Sequence, residues 1–155
     1  MKNIFIIVTL VWFGFIANAF SDDIDKGIDA AVLGDFISAF KLFKPHAEQG
    51  DSDAQFNLGK LYQEGQGVKQ DYQKALKWYR LSAEQGNPLA ENNLGKMYDA
   101  GEGVVQDYKE AVKWYRLAAK KGRPIPQNNL GTMYHQGHGV IKDYAEAVKW
   151  YRLSA

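Results

Sequence analysis

The chain repeats itself at a spacing of 36 residues, and this repeat constrains its fold more than any other feature. An Asn-Leu-Gly triplet, a Gly-x-Gly-Val motif, an Asp-Tyr pair and a Lys-Trp-Tyr-Arg-Leu run follow one another three times. The triplets begin at Asn57, Asn93 and Asn129, the glycine motifs at Gly65, Gly101 and Gly137, and the aromatic runs at Lys77, Lys113 and Lys149. Units that recur in this way predict a solenoid, in which each unit buries its apolar side against its neighbours.

Each unit predicts two amphipathic helices joined by a glycine-rich loop. The apolar positions of the first helix are spaced so that they form one stripe, which in the first full unit consists of Ala54, Leu58, Leu61 and Tyr62. Gly59 falls inside this helix, where glycine costs about 1 kcal/mol relative to alanine, so we expect it to let a neighbouring helix approach closely. Gly65 and Gly67 then end the helix, because glycine adopts left-handed backbone angles without a Cβ clash.

The second helix of each unit begins at an aspartate. Asp71 is an N-cap residue, whose carboxylate accepts from free N–H groups of the first turn. In the later units Asp107 with Glu110, and Asp143 with Glu146, have the spacing of a capping box. The inward stripe of this helix is predicted to contain Tyr72, Ala75, Tyr79, Ser82 and Ala83.

The repeat predicts an all-α fold, an α/α solenoid of about four two-helix units. The predicted solenoid covers 20–155, with a degenerate unit at 22–50 and full units at 51–86, 87–122 and 123–155. The first unit is expected to be atypical because a terminal unit caps the stack. Pro126 stands where the other units have alanine, so we expect the start of its helix to be shifted.

Residues 1–19 have the layout of a secretory signal peptide. Lys2 supplies a positive charge, residues 4–16 form an apolar run, and residues 17–19 are a small-x-small cleavage site. The apolar run is shorter than the about 18 residues of a spanning helix. We therefore expect the segment to be removed, leaving an exported chain, periplasmic or secreted, with no membrane span; the alternative is an uncleaved N-terminal anchor.

Composition argues against several classes of function. The formal net charge is +1 and the two signs are interleaved, so the sequence gives no sign of the basic face that nucleic acid requires. The absence of cysteine excludes disulfides, thiolate metal sites and a cysteine nucleophile. An aromatic share of 14% favours a folded chain, because such rings need apolar contacts. No cofactor is predicted.

The units resemble the Sel-1-like repeat family, which is related to tetratricopeptide repeats. Residues 54–86 match its pattern except at Ser82, where the pattern has alanine, and residues 90–122 match throughout. The matching residues of the first copy are Ala54, Leu58, Gly59, Tyr62, Gly65, Gly67, Val68, Asp71, Ala75, Trp78, Tyr79, Ala83 and Gly86. The resemblance implies a right-handed α/α superhelix that acts as an adaptor or scaffold in protein complexes, without catalysis. It also implies a bacterial exported protein.

Two short motifs were candidates for catalysis or metal binding. Ser38 and Lys41 form S-x-x-K, a nucleophile motif of penicillin-recognising enzymes, but the companion motifs S-D-N and K-T-G are missing. Some cysteine-rich relatives in the resembled family recognise or hydrolyse β-lactams, so a β-lactam hydrolase is the alternative function. His135 and His138 supply two ligands where zinc needs three or four. We therefore predict no catalytic and no metal-binding residues.

Polar residues recur on the first helices and form the candidate binding site. Asparagine amides can pair with a peptide backbone, and lysine can meet a carboxylate. The candidate partner-binding residues are Phe56, Asn57, Lys60, Asn92, Asn93, Lys96, Asn128, Asn129 and Thr132. We expect a protein or peptide partner in a groove along the concave face of the solenoid. The alternative is that each asparagine is buried and bonds the backbone of a neighbouring helix.

The sequence stops directly after the third aromatic run, with no polar capping helix. An uncovered solenoid end exposes apolar surface, which indicates an association site or a truncated chain. Self-association through the C-terminal end, around Leu153, is therefore a further expectation.

Overall fold

The computed structural model describes residues 23–155, which form eight α-helices and no strand. The predicted signal peptide lies outside the described residues. After α1 (residues 23–32), the helices are α2 (Phe36–Glu48), α3 (Ser52–Glu64), α4 (Tyr72–Glu84), α5 (Pro88–Ala100), α6 (Tyr108–Ala119), α7 (Pro124–Gln136) and α8 (Tyr144–Leu153). Each helix from α2 onward packs mainly against its neighbours in sequence. The predicted all-α solenoid of two-helix units is confirmed.

Side-chain caps start the second helices where the sequence indicates. Asp71 and Asp107 both accept hydrogen bonds from first-turn N–H groups. The predicted capping box at Asp107 is only half formed, because its own N–H donates to the carbonyl of Tyr98 at 2.9 Å. Glu110 pairs instead with Lys113 at 3.1 Å. The predicted contact of the Glu110 side chain with the N–H of Asp107 is therefore not formed. The glycine-rich loop folds back on the preceding helix, and a backbone carbonyl of that helix accepts from this N–H instead.

The start of α7 also differs from the prediction. The helix begins at Pro124, the position equivalent to Pro88 at the start of α5. Pro126 lies within the first turn, where a backbone N–H has no helical partner and its loss does no harm. The expected shift of the helix start is therefore wrong.

A glycine in the first helix of each full unit faces a tyrosine ring from the second helix of the same unit. A Cβ atom on Gly95 would lie 2.5 Å from Cδ1 of Tyr115, and one on Gly59 would lie 2.8 Å from Cδ1 of Tyr79. Tyr115 and Tyr79 are only 2% and 0% exposed. The close approach expected at this glycine is therefore made by an aromatic ring.

The apolar cores lie at the boundaries between units. Each core joins the second helix of one unit to the first helix of the next, namely α2 with α3, α4 with α5, and α6 with α7. Trp78, Trp114 and Trp150 pack in turn against these three cores from the following helix. The three tryptophans thus have equivalent surroundings, and a unit depends on its neighbours for burial.

Polar contacts at the ends of α4 and α6 join each of these second helices to the turn before its unit and to the first helix of the same unit. Nε2 of Gln85 donates to the carbonyl of Gly50 at 2.9 Å and to Oε1 of Gln55 at 2.8 Å. One unit later, Nζ of Lys121 donates to a backbone carbonyl of the equivalent turn and to Oε1 of Glu91, both at 2.6 Å. The same geometry is made once with neutral amides and once with an ion pair.

Replacing Gly95 with alanine tests the ring contact. At an unhindered helical position this change stabilises by about 1 kcal/mol, but here Tyr115 must move, and overpacking costs about 1–3 kcal/mol. We expect Gly95→Ala to lower the free energy of unfolding, measured in urea, by about 1–3 kcal/mol. Lys96→Ala, at the exposed next residue, is the control and should change it by less than about 0.5 kcal/mol. A stabilised Gly95→Ala variant would contradict the contact.

Candidate binding face

The candidate partner-binding residues of the first helices, polar apart from one phenylalanine, lie on one side of α3, α5 and α7, and this set is called the ladder face. Its members are Phe56, Asn57, Lys60, Asn92, Asn93, Lys96, Asn128, Asn129 and Thr132. Lys60, Lys96 and Asn128 are exposed, whereas Asn92 is only 7% exposed. The other members are half-buried. The ladder face therefore exposes two lysine side chains to solvent beside a row of partly buried asparagine amides.

Two of the asparagines link neighbouring helices through side-chain contacts. Nδ2 of Asn129 donates to Oδ1 of Asn92 at 3.0 Å, across the boundary between two units. The side chain of Asn93 lies beside the hydroxyl of Tyr79 on the preceding helix. These contacts order the face, but neither partner is the backbone of a neighbouring helix.

Asn57 behaves differently from its equivalents. Its Nδ2 donates to the carbonyl of Asp53 in the same helix, at 2.9 Å. Together with Lys60 it lines a cavity of about 220 Å³ whose other walls come from α1, α2 and α3 and the loop after α3. The side chain of Asn57 thus lies at the edge of this cavity.

The lysines of the ladder face are unengaged. Within residues 23–155, the ammonium groups of Lys60 and Lys96 make no hydrogen bond and no ion pair. The equivalent residue of the third unit, Thr132, is turned inward: its hydroxyl donates to the carbonyl of Asn128 at 3.1 Å and lies 3.3 Å from the hydroxyl of Tyr151. Two units therefore offer a free cation and the third offers a bound hydroxyl.

Buried tyrosines connect the cores with the side chains that flank the ladder face. The hydroxyl of Tyr79 donates to Oε1 of Gln63 at 2.8 Å, and that of Tyr115 lies 3.4 Å from Oδ2 of Asp99. Burial raises the pKa of both phenols. Both therefore remain neutral hydrogen-bond donors at physiological pH. The half-buried ring of Phe56 lies 5.9 Å from that of Tyr79.

A smaller cavity, of about 110 Å³, opens between the first turns of α5 and α7. Its lining consists of Pro88, Leu89, Asn92, Arg123, Pro124, Ile125 and Pro126. Of these, only Asn92 was predicted as a site residue. The sequence signal that could have found the cavity is one variable position of the repeat, occupied by Asp51, Asn87 and Arg123 in successive units.

The residues considered for catalysis and metal binding have structural neighbours. The hydroxyl of Ser38 lies beside Asp35, the N-cap of α2, and its N–H donates to that carboxylate; both hold the pKa of the carboxyl below its usual range. The rings of His138 and His135 lie against tyrosine rings, with centroids 4.3 and 5.2 Å apart. In the part of the chain that the structure covers, no cluster of three or more His, Cys, Asp or Glu side chains could hold a metal ion.

Among the described helices, none combines the length and apolar character needed to cross a membrane.

Apolar surface is open beyond α8. Val148 is 46% exposed, whereas its equivalent Val112 is 4% exposed because α7 covers it. Leu153 is 62% exposed on the same helix. Self-association at this surface stays a prediction.

Two-helix units that end their first helix at a glycine and bury aromatic rings between units define an α/α helical-repeat protein. The Sel1 repeat profile matches the chain four times, over residues 25–51, 52–87, 88–122 and 127–155. The chain belongs to the Sel1 repeat family, as its sequence predicted.

Solved structures of related proteins have the same fold. A Sel1 repeat protein from Oxalobacter formigenes is 36% identical, with a TM-score of 0.79, over 84% of this chain and 54% of that one. The protein c5321, a protective antigen of uropathogenic Escherichia coli with an SLR fold, is 38% identical, with a TM-score of 0.83, over 94% of this chain and 32% of its own. The present chain thus spans about half and about a third of their lengths.

A more distant structure, Helicobacter pylori cysteine-rich protein B, is 21% identical with a TM-score of 0.60 over 77% of this chain and 86% of that one. At this identity the likeness concerns the fold alone. A comparison with curated proteins gives no significant match.

Two alanine substitutions distinguish an asparagine that links two helices, Asn129, from one that bonds only its own helix, Asn57. Asn129→Ala removes the donor to Oδ1 of Asn92, and a buried acceptor left unsatisfied costs about 1–3 kcal/mol. Asn57→Ala is the matched control, because its amide bonds only its own helix, and we expect a change within about 0.5 kcal/mol. The free energy of unfolding in urea measures both. Equal losses at the two positions would refute the difference in role.

Proposed function

We propose that this chain is an exported scaffold that binds an extended segment of a partner protein along the ladder face. The SLR fold of Sel1 repeats commonly serves protein–protein interaction. The observation that carries the proposal is a pair of equivalent cations, Lys60 and Lys96, which are exposed and unpaired within residues 23–155. Their spacing by one repeat matches a ligand that contacts successive units.

The chemistry of the face favours an extended polypeptide with carboxylate side chains. Repeated helices of a solenoid form a long concave surface, along which a chain can run from unit to unit. Asn57 and Asn128 add amide groups that can donate to and accept from a peptide backbone. Lysine ammonium groups form charge-assisted hydrogen bonds with carboxylates. A partner with acidic residues one unit apart would satisfy both lysines.

Binding is favoured over catalysis by what the candidate nucleophile does. Sel1 repeat proteins are generally non-enzymatic scaffolds. The N–H of Ser38 donates to Oδ1 of Asp35 at 3.1 Å, at the start of α2, and its hydroxyl lies beside the same carboxylate. A general base works best with a pKa near the operating pH, and the pKa of the Asp35 carboxyl is lowered instead, so this arrangement gives a β-lactam hydrolase no support.

Charge reversal on the ladder face tests the binding function. Peptides selected from a random library displayed on phage provide the probes, and biolayer interferometry measures their affinity. We expect Lys60→Glu with Lys96→Glu to weaken binding at least about tenfold through loss of charge-assisted bonds. Lys69→Glu with Lys109→Glu makes the same charge change at exposed positions outside the ladder face. A control pair that weakens binding as much as the test pair would refute the assignment to this face.

Export is tested by the N-terminus of the protein recovered outside the cytoplasm. The chain expressed with its first residues in a bacterium should be found in the periplasm or medium, beginning at Phe20 by mass spectrometry. Ala17→Leu with Ala19→Leu should block the cleavage, because the processing site requires small residues. Recovery of an uncleaved chain in the cytoplasm would disprove export.

A further inference from the structure

The cavity between the first turns of α5 and α7 is suited to an aliphatic side chain. Five of its seven lining residues are apolar, and two of them, Leu89 and Ile125, are 42% and 64% exposed. Its volume is about 110 Å³, and an apolar cavity of about 150 Å³ holds benzene. A branched side chain such as that of leucine therefore fits by size, and burying it would be favourable.

The one charged residue in the lining, Arg123, has no internal role. Its guanidinium makes no ion pair or hydrogen bond within residues 23–155, and it gives α7 no side-chain cap. Arginine is also a poor choice for this position, because a cation at a helix N-terminus opposes the helix dipole. A residue that is unfavourable for its own helix and borders a cavity indicates a ligand.

The preceding unit boundary indicates what kind of ligand group fits. There the carboxylate of Asp53 accepts a hydrogen bond from Asn87 at 2.8 Å. The equivalent residues at the α5–α7 boundary are Leu89 and Arg123, whose side chains cannot form such a bond. A carboxylate supplied from outside would give Arg123 the acceptor that Asp53 gives to Asn87.

Two further donors belong to the same lining. Nδ2 of Asn92 reaches only Oδ1 of Asn93, at 3.5 Å, which is longer than the about 2.7–3.2 Å of an ordinary hydrogen bond. The first-turn N–H of Ile125 has no side-chain acceptor. The unpaired Lys96 follows Asn92 on α5 by one turn. The surroundings of the cavity therefore favour an anionic group.

We propose that this cavity is a subsite that takes an aliphatic side chain next to a carboxylate side chain of the bound segment. The aliphatic group fills the cavity, and the carboxylate pairs with Arg123. The subsite rests on the proposed peptide-binding function and adds the chemistry of the partner, which is an acidic residue beside leucine or a residue of similar shape.

Short peptides test the subsite directly. The probes are acetylated and amidated tetrapeptides with the central pair Asp-Leu or Leu-Asp between glycines, titrated into the ¹⁵N-labelled chain and followed by NMR. At least one order should shift the backbone amide of Ile125 and the side-chain amide of Asn92 in a saturable way. Replacing Asp by Asn, or Leu by Ala, in that probe should weaken binding at least about tenfold.

One substitution in the protein should raise its stability and lower its affinity for the probe. Arg123→Asn places at the start of α7 the residue type that caps α5, so the melting temperature should rise while affinity for the probe falls at least about tenfold. Ile125→Ala should also weaken binding, whereas Ile141→Ala, at a loop residue that is 91% exposed, should leave it unchanged.

The subsite is disproved if neither probe gives a saturable shift at Ile125 and Asn92, or if Arg123→Asn binds as well as the unmodified chain. This failure differs from failure of the ladder face. If Lys60→Glu with Lys96→Glu abolishes binding of library peptides while Arg123→Asn has no effect, the ladder face stands and the subsite does not. If neither variant affects those peptides, both assignments fail.

Discussion

The structure depends on one contact, the packing of a tyrosine ring against a glycine in the opposite helix of its unit. Because Gly95 has no Cβ, the backbone of α5 comes close enough to bury Tyr115 almost completely. The length of the side chain then carries its hydroxyl out of the core to Asp99, beside the ladder face. The same contact thus sets the distance between two helices and helps to order the polar surface above them.

Polar contacts then tie each unit to the turn before it. The pair Gln55 and Gln85 within one unit is replaced in the next unit by Glu91 and Lys121, and in both units the second residue also donates to a carbonyl of the preceding turn. A unit with glutamine in place of Lys121 would leave the buried carboxylate of Glu91 without its partner, which is strongly unfavourable. Apolar packing joins neighbouring units, whereas each polar pair holds the two helices of one unit together.

The sequence was sufficient to predict the solenoid, because glycine, aspartate and aromatic positions recur at one spacing and each has a local physical role. It was insufficient at Pro126, where alignment to alanine suggested a shifted helix although the equivalent prolines 88 and 124 already fix the start. Helical periodicity also placed the ladder residues on one side. The partners of Asn93 and Asn129 could not be predicted, because they depend on side-chain rotamers, and the cavity at Arg123 depends on how two neighbouring units meet.

The position of the cores has a consequence for how such genes change in length. Each core belongs to a boundary, so inserting one whole 36-residue block creates one new boundary and leaves the others intact. Tandem duplication can therefore lengthen the protein in steps of one unit. A duplication whose length is not a multiple of 36 residues would put the wrong side chains opposite each other. Selection on such genes thus acts on the copy number of intact blocks and on the match between adjoining copies.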